Sequence, residues 1–268
     1  CVHCLHTKKP RHHRAPGTTS TLQAVVEISN LCMVLGHIPP CLKEGWITLV
    51  PKVKADGSFS TEADKMRPIT VLPELGKITS RVLAKRLGDI LTRNPDFLAK
   101  QQRGFIADGC VEQGVAVLVD VIEDWRAGKM SKDHSLFIIS YDQKKAYDSV
   151  QLFTLRASLE RFNTPEIFIQ LVLSSLTDAH SRVRTFDGLT DRFLLKSSVR
   201  QGDPLAPLLY ALVTDALHAG LENNPLFPET AKEGGYTFRA PGPDGSAVRV
   251  CSSGYADDTA IVASDPAR

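Results

Sequence analysis

SGYADDTAIVA, residues 253–263, sets two adjacent acids, Asp257 and Asp258, between apolar flanks that look like buried strand. Neighbouring carboxylates repel each other, so the pair needs either a turn that exposes both acids or a bound cation. A divalent cation needs at least one more carboxylate from elsewhere in the chain. SYDQKKAYDSV, residues 140–150, supplies it. There Asp142 closes the apolar strand SLFIISYD (135–142), 115 residues before Asp257. If the two strands are neighbours in one sheet, three carboxylates converge at its edge. Mg²⁺ suits such a place, because it binds one or two carboxylates together with waters and substrate phosphates. Two ions of this kind activate an attacking hydroxyl and stabilise a leaving pyrophosphate.

Working outward, the closing segment AVRVCSSGYADDTAIVA predicts a hairpin that carries the acidic pair. PLAPLLYALVTDALHAGLE predicts a long helix. RQGDPLAP places Asp203 and Pro204 as the N-cap and first residue of that helix, with Gly202 allowing close backbone approach. SRVRTFDGLTDRFLLKSSV (181–199) predicts a hairpin turning at Asp187-Gly188, and FTLRASLERF and IFIQLVLSSL predict helices. Upstream, TLQAVVEISNLCMVL (21–35) has helical spacing and stops at Gly36. HIPP turns the chain, and GWITLVPKV (45–53) and MRPITVL predict two strands that can pair. ELGKITSRVLAKRLGDIL (74–91) predicts an amphipathic helix with Leu75, Ile78, Val82, Leu87 and Ile90 on one side. Lys77, Arg81 and Lys85 recur on another side, as a solvated face or as phosphate contacts. CVEQGVAVLVDVIEDWRAGK (110–129) predicts one more helix. The fold class is therefore α+β, with a mainly antiparallel sheet flanked by helices.

Composition is that of an ordinary globular chain: 268 residues, 43% hydrophobic and 23% charged. No apolar run approaches the roughly 20 residues of a membrane span, and no signal peptide is visible, so the expectation is an intracellular protein without a membrane partner. Residues 1–54 hold seven Lys/Arg against Glu27 and Glu44, whereas 215–268 hold eight acids against four bases. That asymmetry fits a polyanion held near an acidic, cation-requiring site, or simply a solvated surface. The six cysteines lack the spacing of a disulfide framework. CVHCLH with His12 and His13 brushes zinc-ligand spacing without a second ligand pair, and residues 1–20 read as a basic arm. Cys1 at one end and ASDPAR at the other suggest a fragment of a longer polypeptide.

SYDQKKAYDSV, then RQGDPLAPLLYAL, then YADD, in that order, resemble the core of a reverse transcriptase. GWITLVPK, MRPITVLPELGKITSRVLAKRL and QQRGFIADG resemble the fingers segments of its non-LTR retrotransposon branch. The resemblance runs from about residue 15 to the end. It implies a right-hand polymerase fold, with a basic extension and one helix at 1–44, fingers at 45–134, a palm at 135–268, and no thumb. It implies that Asp142, Asp257 and Asp258 bind two Mg²⁺, for which Mn²⁺ can substitute. Lys52 and Arg67 would hold the triphosphate, and Tyr147 would exclude a 2′-hydroxyl. Gln201 and Gly202 would touch the nascent base pair, and Tyr255 and Ala256 would lie by the primer terminus. The implied partners are an RNA template, a DNA primer, dNTPs and element RNA in a ribonucleoprotein, in the nucleus and cytoplasm of a eukaryotic host. Two departures stand out: Asp203 occupies a position where non-LTR elements often carry Cys, and APGTTS lacks the acid of the family's PG-D-G stretch. A group II intron-type or other cellular reverse transcriptase, and a truncated copy that only binds nucleic acid, are the rival readings.

Overall fold

The computed structural model describes residues 20–54, 56–60, 62, 65–106, 109–128, 135–195, 199–222, 235–239 and 247–264. The CVHCLH segment, His12, His13 and APGTTS lie outside them. The chain divides into two compact units. One contains the described residues within Cys1–Ser80 and Leu159–Lys196, and the other those within Arg81–Ser158 and Ser197–Arg268.

In the first unit, helix α1 (Thr21–Leu35) is capped by Ser20, whose Oγ accepts from Gln23 N at 3.3 Å. It ends at Gly36, whose φ of +62° gives the left-handed C-cap for which glycine is suited. Pro39 and Pro40 lead into the single turn α2 (Pro40–Lys43). Strands β1 (Gly45–Pro51) and β2 (Met66–Val71) pair antiparallel, with Thr48 opposite Ile69 and Val50 opposite Arg67. Helix α3 (Glu74–Arg93) then runs on into the second unit. Its buried side is the line Leu83, Leu87, Leu91, while Ile78 and Ile90 are exposed. The sequence holds two apolar lines on this helix, and periodicity alone does not say which one faces inward. Lys77 and Lys85 of the cationic stripe pair with Glu74 and Asp89 on their own helix.

Later in the chain come α7 (Glu166–Leu176), β4 (His180–Thr185), β5 (Gly188–Leu189) and β6 (Phe193–Leu194). β4 lies parallel to β1, giving the order β2-β1-β4-β5 with β6 also on β4. Thr185 pairs with Gly188, so the turn centres on Phe186-Asp187, one residue earlier than expected. α1 packs on α7. The buried Lys43 donates to Ser174 O at 2.9 Å and Thr177 O at 2.7 Å, satisfying carbonyls that the end of α7 leaves without helical partners.

The second unit contains α4 (Val111–Arg126), β3 (Phe137–Asp142), α5 (Ala146–Ser149), most of α6 (Leu152–Arg161), α8 (Ala206–Glu222), β7 (Tyr236–Arg239), β8 (Ala247–Val250), β9 (Ser252–Tyr255) and β10 (Asp258–Ala263). β3, β10 and β9 form an antiparallel sheet in that order, and β7 pairs with β8. Val121, Tyr236, Phe238, Val250 and Val262 form a core against which Val117, Leu118 and Leu136 pack. Each fully buried apolar side chain there contributes about 1.5–3 kcal/mol. The Tyr236 hydroxyl donates to Asp124 Oδ2 at 3.0 Å, so this buried polar pair is satisfied.

β3 is an edge strand with Ile139 and Tyr141 exposed, since among the described strands only β10 pairs with it. One expectation changes in this unit. α8 begins at Ala206 rather than at Pro204. Asp203 still caps, but one turn earlier: its Oδ1 accepts from Leu205 N at 2.9 Å and its carbonyl from Ala206 N at 3.1 Å.

Candidate active site

The register of β3 against β10 sets Asp142 directly opposite Asp258. β9 and β10 are joined by the two-residue turn Ala256-Asp257, with Tyr255 opposite Asp258. The three acids are thus gathered at one end of one sheet. Asp142 and Asp258 are exposed, and Asp257 is half-buried. Like charges directly across an antiparallel pair are destabilising. No hydrogen bond or ion pair among the described residues engages any of the three carboxylates. Folding alone therefore gives no reason for them.

Around the acids stands an aromatic wall. Tyr147 stacks on Tyr210 of α8, with centroids 4.9 Å apart and planes 13° apart. Phe105 meets Tyr147 edge-on at 6.3 Å and 80°. Burial pushes the Tyr147 hydroxyl up to about 12, with the nearby Asp257 carboxylate adding to the shift. Burial and then Asp257 raise Tyr210 as well, and Asp142 contributes further. Both rings therefore stay protonated, with neutral hydroxyls beside acid groups. Tyr210 donates to Gln143 Oε1 at 3.0 Å, and Gln143 Nε2 donates to Ser149 Oγ at 2.7 Å. This chain of bonds fixes the residue that follows Asp142.

Val199 N donates to Tyr147 O at 3.2 Å, which ties the RQGDP segment to the same place. Asp203 N donates to Arg200 O at 3.1 Å, closing a turn in which Gly202 has φ +106°. A positive φ at the third position of a turn is a glycine requirement. Gln201 Oε1 is buried without a hydrogen-bond partner among the described residues. A buried amide oxygen with no donor among the described residues is open to a hydrogen bond from water or a ligand.

Lys52 and Arg67 belong to the first unit and are brought together there. Lys52 N donates to Lys65 O at 3.3 Å, extending the β1–β2 ladder one step past Pro51. With Val50 opposite Arg67, this register puts Lys52 on the same face as Arg67, as its diagonal neighbour. Both side chains are exposed.

Sequence reasoning did not single out Gln102, Gln143, Phe105, Tyr210 or His218. The QQRGF segment lies against the acidic hairpin: Gln102 bridges Gly254, and Arg103 N donates to Gly254 O at 2.9 Å. His218 of α8 is fully buried, its Nδ1 2.9 Å from Ser252 Oγ. A Cβ at Gly254 would stand 2.5 Å from His218 Nε2, so the glycine makes room for the imidazole. Nothing in residue spacing announces these contacts; the only signal was that QQRGF stands among the family segments.

The profile of the family described as "Reverse transcriptase (RNA-dependent DNA polymerase)" matches residues 50–268. The chain belongs to this reverse transcriptase family. It is 27% identical over 220 residues to the "Retrovirus-related Pol polyprotein from type-1 retrotransposable element R2" of Popillia japonica, covering 79% of this chain and 29% of that protein. It is 30% identical over 196 residues to the "Probable RNA-directed DNA polymerase from transposon X-element" of Drosophila melanogaster, covering 71% of this chain and 20% of that protein. The chain thus spans less than a third of either relative. The kinship expected from the ordered motifs, with polymerases of non-LTR retrotransposons, is the one these relatives show. Among solved structures, apo telomerase from Candida Tropicalis truncated from its C-terminal domain matches with a TM-score of 0.54 and 16% identity, covering 86% of this chain and 45% of that one. At that identity the likeness speaks to the fold alone, which is the expected right-hand polymerase fold.

The acids also fit the divalent metal ions that reverse transcriptases generally use. Among the described residues no three His, Cys, Asp or Glu side chains close into a metal cage. Mg²⁺ does not need one, since it keeps waters and takes substrate phosphates beside one or two carboxylates. Three carboxylates at a sheet end, two exposed and one half-buried, with no hydrogen bond or ion pair among the described residues, meet that demand.

Proposed function

We propose that this chain is the fingers and palm of an RNA-directed DNA polymerase from a non-LTR retrotransposon, extending a DNA primer on an RNA template with dNTPs. The observation that carries the reading is the register pair Asp142–Asp258, with Asp257 in the adjoining turn and none of the three acids paired by a described residue.

Asp142, Asp257 and Asp258 would hold two Mg²⁺. When bound, these ions supply an activated 3′-hydroxyl and neutralise charge on the phosphates. Lys52 and Arg67, neighbours on one hairpin face, would grip the triphosphate through charge-assisted hydrogen bonds. Tyr147 would pack beneath the incoming sugar. Its ring stacks on Tyr210 and meets Phe105 edge-on, contacts that would resist its swinging aside for a 2′-hydroxyl. Gln201 Oε1 and the backbone at Gly202 would face the nascent base pair. Tyr255 and Ala256 would meet the primer terminus. Element RNA would be the template in a ribonucleoprotein, in the nucleus and cytoplasm of its host.

The test is template and substrate choice: extension of one DNA primer on RNA or DNA templates, with dNTPs or rNTPs, in Mg²⁺. Synthesis on RNA from dNTPs is expected. Incorporation of rNTPs at a comparable rate would overturn the reading.

A further inference from the structure

Asp257 follows an unfavourable backbone. Ala256 has φ +59°, while Asp257 is not among the positive-φ residues. A positive φ at the first central residue alone is what a type II′ hairpin turn requires, and glycine is its ordinary occupant. A residue with a Cβ resists that conformation, so surrounding structure must hold it there.

The side chain of Gln102 does so. It is 3% exposed and grips Ala256 on both sides. Its Oε1 accepts from Ala256 N at 3.2 Å and from Gly104 N at 2.9 Å. Its Nε2 donates to Ala256 O at 3.4 Å and to Thr214 Oγ1 at 2.9 Å. The Thr214 hydroxyl has one hydrogen, which goes to a helix carbonyl, Tyr210 O at 3.1 Å or Ala211 O at 3.2 Å. Its oxygen can therefore only accept from Gln102, which fixes the amide's orientation. The approach depends on Gly104 having no side chain, since a Cβ there would overlap Ala256 N and stand 2.9 Å from Ala256 Cα. Backbone bonds set the same strip against β9: Gly254 N donates to Gln101 O at 2.9 Å, and Arg103 N to Gly254 O at 2.9 Å.

We propose that Gln102 is a positioning residue for nucleotidyl transfer, locking the Ala256–Asp257 turn to α8 so that the Asp257 carboxylate is presented at a fixed place; this rests on the polymerase reading above. The bonds reach the turn that carries one acid and the helix that carries Tyr210, so one amide sets carboxylate and aromatic wall together. Gln102 touches neither substrate nor metal in this role.

The experiment compares the 268-residue chain with its Gln102→Leu and Asp257→Ala variants by three readouts. Hydrogen exchange is followed at the amides of residues 254–258 and, as reference, at those of β3 and α8. Mn²⁺ affinity is measured by water-proton relaxation, and RNA-templated extension gives kcat and the dNTP KM. In Gln102→Leu, exchange at the turn is expected to accelerate while the reference amides stay protected, and Mn²⁺ affinity should fall. Misplacement of a reacting group by about 1 Å costs about 10²-fold in rate, so kcat should drop by about that factor with KM unchanged. Wild-type turn protection and wild-type Mn²⁺ affinity in a folded Gln102→Leu chain would overturn the proposal. So would uniform loss of protection across turn, β3 and α8, which is the mark of a merely structural role. Failure of the polymerase reading shows differently, as an inactive wild type whose Mn²⁺ affinity Asp257→Ala does not change. The exchange result still decides whether Gln102 locks the turn.

Discussion

His218 makes the acidic hairpin sensitive to pH through packing rather than catalysis. Its ring is fully buried against Gly254, one nitrogen meets Ser252, and Nε2 has no partner among the described residues. Burial holds its pKa down to about 4, against 6.5 for a free imidazole. The sign follows directly. Above pH 6.5 neither folded nor unfolded chain binds the proton and stability is full; between 6.5 and 4 only the unfolded chain binds it, so stability falls as pH falls. Linkage gives a loss of about 2 kcal/mol at pH 5, rising to about 3 kcal/mol below pH 4. The assay is urea unfolding at pH 7 and pH 5 for wild type and His218→Gln, whose other titrating groups are identical. Wild type should lose about 2 kcal/mol more than the variant over that interval. Equal losses, or a ring titrating near 6.5 by NMR, would refute the reasoning.

Four further outcomes follow from the same geometry. Gly202→Ala forces an L-residue to φ +106° and should cost about 1–3 kcal/mol, read by thermal unfolding; an unchanged midpoint would mean the turn relaxes. Arg67→Ala would remove the proposed charge-assisted phosphate contact, worth about 1.5–3 kcal/mol, so the dNTP KM should rise about 10–100-fold while primer–template affinity holds, and an unaltered KM would count against the assignment. Tyr147→Ala should narrow discrimination between dNTP and rNTP by about tenfold or more, a change of roughly 1.4 kcal/mol; preserved discrimination in single-nucleotide incorporation would remove Tyr147 as the gate. Gly254→Ala drives a Cβ into the His218 imidazole and should destabilise by about 1–3 kcal/mol, whereas wild-type stability would show that the ring can move.

Local chemistry was legible in the sequence, and long-range pairing was not. Helix α1 with its Gly36 stop and the closing hairpin rest on signals within a few residues of one another, and the β1–β2 pair joins successive strands. The parallel placement of β4 beside β1 joins segments well over a hundred residues apart, and no turn residue encodes it. The same limit applies at the acids. Asp142 and Asp257–Asp258 could be named as candidates from their flanks, but only the β3–β10 register puts Asp142 opposite Asp258. Gln102 was invisible for a further reason: a buried glutamine that bonds Gly104 nearby but also Ala256 and Thr214 more than a hundred residues on looks, in sequence, like any polar residue.

On the function proposed above, three acids at the end of one sheet drive DNA synthesis on RNA. The direct measurement is primer extension with dNTPs and Mg²⁺ by wild type, Asp142→Asn and Asp257→Ala, each checked for folding by circular dichroism. The account predicts synthesis by wild type and losses of at least about 10²-fold in both folded variants. Extension at the wild-type rate by either folded variant would contradict it.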